Sequence, residues 1–400
     1  MASGRVSKVK SKVLDIPANA PTIGTVTGGN AKATITVTAG STSTGGPIFT
    51  FTAVSNPGSI SATSASSPVV VTGLTNGTSY TFTVAAGNTT GNGPFSSASS
   101  SVTPAVPPTG GNGYDLNYES GSAVAYTDRI AYSTETISNI PGVTTAIILT
   151  YGANNSGTAG YLLGAYSHPP GATNSIGKFT FSSETGSTLS ATLSGNGYYA
   201  SAVGNKGSAA YMFGGVNFGT AIQRLDFSTE ARTTISATLA ANNTQSAGLS
   251  NSGTAGYKLG GSNTVNTIEK FTYSGETMAT ASATLSINVA AQYAFSNNGT
   301  AGYTAGGQGS LTTGNPQYTT INKLVYSNDT CSAISATMQS ADTLGVGVSN
   351  TNTAGYMLGG INNTTRASKL DYDTETRTTL SATLSRGLWY GAGLSNETAV

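Results

Sequence analysis

From residue 114 onward the chain alternates apolar and polar residues in short runs, and the runs return as a set. Ser246–Leu285 shows one set whole: SAGLSNSGTAGYKLGGSNTVNTIEKFTYSGETMATASATL. Two alternating runs meet at an Asn-Ser-Gly turn; a Gly-Gly, a third run, an acidic turn and a Ser-Ala-Thr-Leu follow. Period-two alternation broken by glycine predicts four short strands per set. The tyrosine of the second run recurs as Tyr114, Tyr161, Tyr211, Tyr257, Tyr303 and Tyr356, at intervals of 47, 50, 46, 46 and 53. An aromatic keeps step with it at Tyr132, Phe181, Phe227, Tyr273, Tyr326 and Tyr372. A four-strand unit repeating at this length is the mark of a propeller blade, and there are six units.

The ends predict how such a ring closes. A unit's first strand begins about 11 residues before its tyrosine, as Ser246 stands before Tyr257. The same distance before Tyr114 lies Thr103, followed by Pro104, Pro107 and Pro108. Proline cannot donate to a ladder, so no inner strand forms there. The C-terminal WYGAGLSNETAV carries the missing pattern, and the expectation is that Ala392–Asn396 fills the gap in the sheet of Tyr114.

Ahead of the repeats, strand-like runs at 23–27, 33–39, 48–54, 68–74, 79–86 and 96–103 predict a β-sandwich over residues 20–104. In GLTNGTSYTFTV, Leu74 closes one strand, Asn76-Gly77 turns, and Tyr80 enters the next. That is the place of a tyrosine corner, whose hydroxyl ties the crossing loop. Residues 105–113, AVPPTGGNG, form a linker stiffened by prolines and loosened by glycines. Residues 1–19 form a basic arm in which Arg5, Lys8, Lys10 and Lys12 face one acid, Asp15. A frayed terminus is the plain reading; an anchoring arm is the functional one, and it is the expectation taken here.

Composition sharpens this picture. Charged residues make up 8% of the chain, against about 25% in ordinary globular proteins. Each unit carries a base and an acid six residues apart: Arg129/Glu135, Lys178/Glu184, Arg224/Glu230, Lys270/Glu276, Lys323/Asp329 and Lys369/Glu375. Six residues of strand span about 20 Å, so the two cannot touch along one straight strand. The expectation is pairing between neighbouring blades, or a bend at the acidic turn. A net charge of +1 gives no reason to expect a nucleic-acid partner. No stretch approaches the roughly 18 apolar residues of a membrane helix, and no apolar run follows the basic arm as in a secretory signal.

Chemistry is sparse. His168 is the one histidine, so no repeated Ser-His-Asp or Cys-His pair exists, and a copper site needing several histidines is excluded. Cys331 is the one cysteine and reads as a small buried residue; an internal disulfide is excluded. Walker and HExxH motifs are absent. Glycosidase-type carboxylates could lie among Asp115, Glu119, Asp128 and Asp226, but nothing in the sequence singles them out. The expectation is a non-enzyme without cofactor or metal. Aromatics outside the repeat stand at Tyr166, Tyr198, Tyr199, Phe218, Tyr318, Trp389 and Tyr390, some within unequal insertions such as 167–175 and 308–320. Insertions in a propeller map to loops on its faces. Tyr166, His168, Phe218 and Tyr318 are therefore the candidate ligand-facing residues, while Tyr198, Tyr199 and Tyr390 read as interblade core.

Residues 20–104 resemble a fibronectin type III domain, without its core tryptophan, near whose place Val37 stands. Residues 114–400 resemble kelch blades through the Gly-Gly pairs at 214–215, 260–261, 306–307 and 359–360. The first two units lack the pair, and the family's fourth-strand tryptophan is missing throughout. The AGYxxGG, KFxFSxET and SATLS pieces are similar to degenerate kelch-like propellers in virion proteins of tailed phages, marine ones especially. The fold class expected is thus all-β: a fibronectin type III-like sandwich, then a six-bladed kelch-like propeller closed by the C-terminal strand. The resemblance implies a non-enzymatic structural protein of the virion, a tail, fibre or baseplate accessory or a capsid decoration, assembled in the host cytoplasm without export. Residues 1–104 would hold it to other virion proteins, in one or several copies, and propeller loops would meet a host-surface glycan or receptor. The alternative is a carbohydrate- or receptor-binding adhesin module.

Overall fold

The computed structural model describes residues 19–29, 31–40, 47–88, 91–104, 111–118, 125–140, 151–167, 171–242, 244–251, 253–262, 265–297, 299–309, 316–361, 365–387 and 391–396. The basic arm and His168, Trp389 and Tyr390 lie outside them. The described residues form strands and turns with no helix, and the chain divides into two compact units, Met1–Pro107 and Pro108–Val400.

The described residues of the first unit form seven strands: β1 (Thr22–Gly29), β2 (Lys32–Thr38), β3 (Thr50–Asn56), β4 (Ser61–Ser64), β5 (Val69–Thr72), β6 (Thr81–Asn88) and β7 (Gly91–Phe95). They make two antiparallel sheets, β1-β2-β5 and β4-β3-β6-β7. Alternate residues of β2, β3, β5 and β6 (Ile35, Val37, Phe51, Ala53, Val69, Val71, Phe82, Val84) point inward and form one core. Tyr80 is buried beside them, and its hydroxyl accepts the Thr75 N–H at 3.1 Å, the bond expected of a tyrosine corner. One expectation fails here. The last strand runs over Gly91–Phe95, not over 96–103. Hydroxyls explain it: Ser96 and Ser99 accept the N–H groups of Val84 and Phe82, both at 3.0 Å, so side chains replace the regular ladder.

The second unit begins with β8 (Asn112–Tyr118), β9 (Ala125–Ala131) and β10 (Thr136–Ile140). Then come β11 (Tyr151–Asn155), β12 (Ala159–Ser167), β13 (Gly171–Thr180) and β14 (Thr185–Thr192), and β15 (Ser201–Asn205), β16 (Ala209–Phe213), β17 (Ala221–Asp226) and β18 (Arg232–Thr238). β19 (Ala247–Asn251), β20 (Ala255–Leu259), β21 (Thr267–Thr272) and β22 (Thr277–Thr284) follow. The last ones are β23 (Tyr293–Asn297), β24 (Ala301–Ala305), β25 (Thr320–Val325), β26 (Thr330–Thr337), β27 (Val346–Asn350), β28 (Ala354–Leu358), β29 (Ala367–Asp371), β30 (Arg377–Thr379) and β31 (Ala392–Asn396).

Each consecutive group of four from β11 to β30 is one antiparallel sheet in chain order, called here sheets 2 to 6. Sheet 1 is ordered β10-β9-β8-β31. The C-terminal strand takes the first-strand place in it, with Leu394 opposite Tyr114 and Ala392 opposite Leu116. First strands of successive sheets lie side by side, and β31 lies beside both β11 and β27. The unit is thus a propeller-like succession of four-stranded sheets. Its core sits in the seams between sheets, where the repeated tyrosines are buried at 0–2% exposure.

Candidate functional site

In sheets 2 to 6, the turns joining first to second and third to fourth strands lie at one end, as does the β9–β10 turn of sheet 1. The connections from second to third strand, and from one sheet to the next, lie at the other. The repeated charges gather at the first end and the unrepeated aromatics at the second.

At the charged end every acid belongs to the sheet after its base. Arg129 meets Glu184 at 2.9 Å, Lys178 meets Glu230 at 2.5 Å, and Arg224 meets Glu276 at 3.3 Å. Lys270 meets Asp329 at 2.6 Å, Lys323 meets Glu375 at 2.5 Å, and Lys369 of sheet 6 meets Glu135 of sheet 1 at 2.5 Å. Of the two arrangements the interval of six allowed, the one between sheets is therefore found. The same carboxylate accepts the hydroxyl of the repeated tyrosine of the base's own sheet, at 2.7–3.3 Å in all six seams. That tyrosine stacks on the repeated aromatic of the following sheet, with centroids 5.0–5.5 Å apart.

The acids owe their position to the turn. All six have left-handed backbone, φ between +46° and +54°. A type I turn followed by one left-handed residue is a common hairpin connection, and glycine is the easy occupant of that place. A side chain there costs about 1–2 kcal/mol. The ion pair with a base 26–35% exposed gives back only about 0–1 kcal/mol, so the tyrosine bond and the ring contact supply the rest. Burial first, and the carboxylate second, push the phenols up, to about 12 in Tyr161. Burial and the Glu184 and Glu276 contacts raise Tyr114 and Tyr211 to about 12 as well, against smaller opposing effects of Asn112 and Arg224 respectively. A phenol held up in this way donates a hydrogen bond and does not serve as a base near neutral pH. The six clasps stay on six separate seams. Among the described residues no three His, Cys, Asp or Glu converge as a metal site would require.

A second tie, not anticipated from the sequence, uses the residue just before the base. Gln223, Glu269, Asn322 and Asp128 accept the N–H of Ser194, Ala240, Ser286 and Ser385 of the preceding sheet at 2.7–3.1 Å. Its signal was a polar residue on an otherwise apolar face, at a fixed place ahead of Lys or Arg.

First strands of neighbouring sheets approach closely along the axis. A Cβ on Gly248 would lie 2.4 Å from the Ala202 carbonyl oxygen, and one on Gly393 would lie 2.2 Å from that of Gly347. Hydroxyls and an amide join the same strands: Ser250, Ser296 and Ser349 N–H groups donate to the next Ser Oγ, and Ser395 N–H donates to Asn154 Oδ1, at 2.9–3.1 Å. A cavity between sheets 5 and 6, lined by Tyr293, Asp342, Met357, Arg366 and Ser368 among others, has room for about one water molecule. Pockets for small molecules measure about 300–1,000 Å³.

The loop end holds the residues singled out earlier, in unlike settings. Tyr166 lies near the end of β12, whose following loop is outside the described residues. Phe218 is a correction: it is 7% exposed and packs with Leu193, Ala200 and Leu225 in the seam between sheets 2 and 3, so it is core and not ligand-facing. An aromatic in a glycine-rich loop gave no warning that the loop folds back. Tyr318 is half-buried against the cluster of Leu324 and Tyr326. Its insertion is tied down by Gln308 N–H to Ala290 O at 2.9 Å and Gly309 N–H to Pro316 O at 2.7 Å. Tyr198 and Tyr199 are half-buried, neither core nor fully exposed, with ring centroids 4.9 Å apart. The sequence also missed a backbone chain at this end. Tyr199, Gln245, Ala291 and Leu344 all have left-handed backbone. Each of the last three donates its N–H to the carbonyl of the one before, at 2.8–3.0 Å.

No protein-family model and no curated protein matches the chain. Among solved structures it is similar to one titled "Structure of YjhT", with a TM-score of 0.52 and 13% identity, over 68% of this chain and 97% of that one. At that identity the likeness is one of fold alone, and it agrees with a propeller-like arrangement.

Proposed function

We propose that the chain is a fibronectin type III-like sandwich followed by a closed six-bladed kelch-like propeller, and that it is a non-enzymatic structural protein of a tailed-phage virion. The sandwich assignment draws support from the three- and four-stranded sheets and the Tyr80–Thr75 bond. The propeller assignment draws support from the first-strand place of β31 in sheet 1 and the Lys369–Glu135 pair between last and first sheets. In this reading residues 1–104 attach to other virion proteins, and the propeller is displayed toward a host-surface glycan or receptor.

The observation that carries the functional reading is where variety occurs. The charged groups of the repeat are used up between sheets, whereas loops of unequal length and composition gather at one end. A scaffold with one variable end suits contact better than catalysis. Labelling the protein in intact particles tests the reading: it is expected on the tail or shell, and absence from purified particles overturns it. Deletion of residues 1–19 is expected to abolish incorporation. A glycan array probed with the full chain tests the contact role separately, since silence there leaves a spacer or decoration.

A further inference from the structure

Sheets 1 and 4 fill one pair of positions in opposite ways. In sheet 4, Lys258 and Glu269 are cross-strand partners; the ammonium sits 3.1 Å from the carboxylate, and the side chains are 1% and 4% exposed. In sheet 1 the same two places hold Asp115 and Asp128, again cross-strand partners and again buried, at 0% and 1%. Asp128 is well provided for: Oδ2 accepts the Ser385 N–H at 2.8 Å and its hydroxyl at 2.9 Å, and Oδ1 accepts the Asn139 amide at 3.4 Å. Neither oxygen of Asp115 receives a hydrogen bond.

Among the described residues nothing in the surroundings supplies the missing positive charge. Tyr114 faces sheet 2, so by strand alternation Asp115 faces sheet 6. The seam there is filled by Ile130, Val348, Tyr356, Leu358 and Leu384, all uncharged. Of the nearby cations, Arg129 is engaged with Glu184 on the other face, Lys369 with Glu135 at the turn end, and Arg386 lies over the Tyr126 ring at the loop end. Two adjacent carboxylates, dry and without a cation, are not sustainable, because an unpaired buried charge neutralises itself by binding a proton.

We propose that Asp115 and Asp128 share one proton, and that this proton keeps closed the seam beside the C-terminal strand, which loosens as pH rises. The proton bonds one carboxyl oxygen and is donated to the other carboxylate; its loss to hydroxide leaves two facing negative charges. Burial, and then the charge of Asp128, hold the Asp115 carboxyl well above the usual carboxylate range, in keeping with the geometry. The proton is a property of the pair.

The sign of the effect follows. The unfolded chain releases this proton near the ordinary value of 3.8, while the folded chain keeps it to higher pH. Stability is therefore full in acid and declines as pH rises above that value, until the folded Asp115 carboxyl itself titrates. Urea unfolding of the full chain and of Asp115→Asn, followed from acid to mildly alkaline pH, tests this. The wild-type folding equilibrium is expected to fall relative to the variant by about tenfold per pH unit, one proton's worth. Parallel curves overturn the proposal. If Asp115→Asn does not fold, two other readouts decide. Infrared spectra of folded wild type at neutral pH are expected to show a carboxylic-acid carbonyl band that Asp128→Asn alters, and cleavage of β31 by protease is expected to rise with pH. Stabilisation of the wild type by sodium, magnesium or calcium at constant pH, lost in Asp115→Asn, would mean a bound ion in place of the proton and also overturns it.

Discussion

The two ends of the sheets obey different rules. At the turn end, six seams repeat one arrangement of tyrosine, base, acid and stacked ring, whatever the sheet. At the loop end the backbone chain through Tyr199, Gln245, Ala291 and Leu344 repeats, but the described side chains differ: one connection is a buried Phe218 hook, another a pinned insertion carrying Tyr318, another a half-buried tyrosine pair. The contrast separates what geometry requires from what it leaves open. A sheet that must meet its neighbour at a fixed angle needs the same contacts each time; a loop that meets only solvent or a partner does not.

The largest effect expected is at the clasp tyrosine. Tyr257→Ala removes a fully buried ring and its Asp329 bond, with an expected loss of about 3–5 kcal/mol in urea unfolding. Tyr161→Ala should cost the same within error; a large disparity would break the idea that the seams are equivalent. Next comes the axis: Gly248→Val drives atoms into the Ala202 carbonyl, for about 1–3 kcal/mol or more. Alkaline titration should act on all seams together. Folded Tyr114, Tyr161 and Tyr211 hold their protons to about 12, whereas unfolded phenols release theirs near 10. Stability from these groups is thus constant below about pH 9 and falls from pH 10 toward 12, visible as a steepening loss of the folding midpoint. Smaller still is Asp329→Gly, which gives up a half-exposed ion pair and the Tyr257 hydroxyl bond but relieves a left-handed residue; a net loss of about 1 kcal/mol is expected. Asn196→Ala, at an exposed loop position, should leave stability within about 0.5 kcal/mol of wild type. A large loss there would show the loop end to be as constrained as the turn end.

Much of the scaffold was legible because it is periodic. The tyrosine spacing marked out the units, and the prolines at 104, 107 and 108 left one strand to be supplied from elsewhere, which Ala392–Asn396 supplies. The interval of six excluded contact within a strand but not a bend at the turn; choosing between them needed the angle between sheets. Features that break the period were harder. Phe218 looked like a loop aromatic because nothing local says that its loop turns inward. The strand expected over 96–103 was lost to serine hydroxyls competing with backbone groups, a contest that alternation does not register. The Asp115–Asp128 pair was visible only as two acids among several, since cross-strand register, not sequence distance, makes them neighbours.

The place of β8 has a mechanical meaning. The polypeptide enters the second unit not along an outer edge but through an interior strand, held by β9 on one flank and by β31 on the other. Pulling that strand out would therefore break two ladders, where removal of an edge strand would break one.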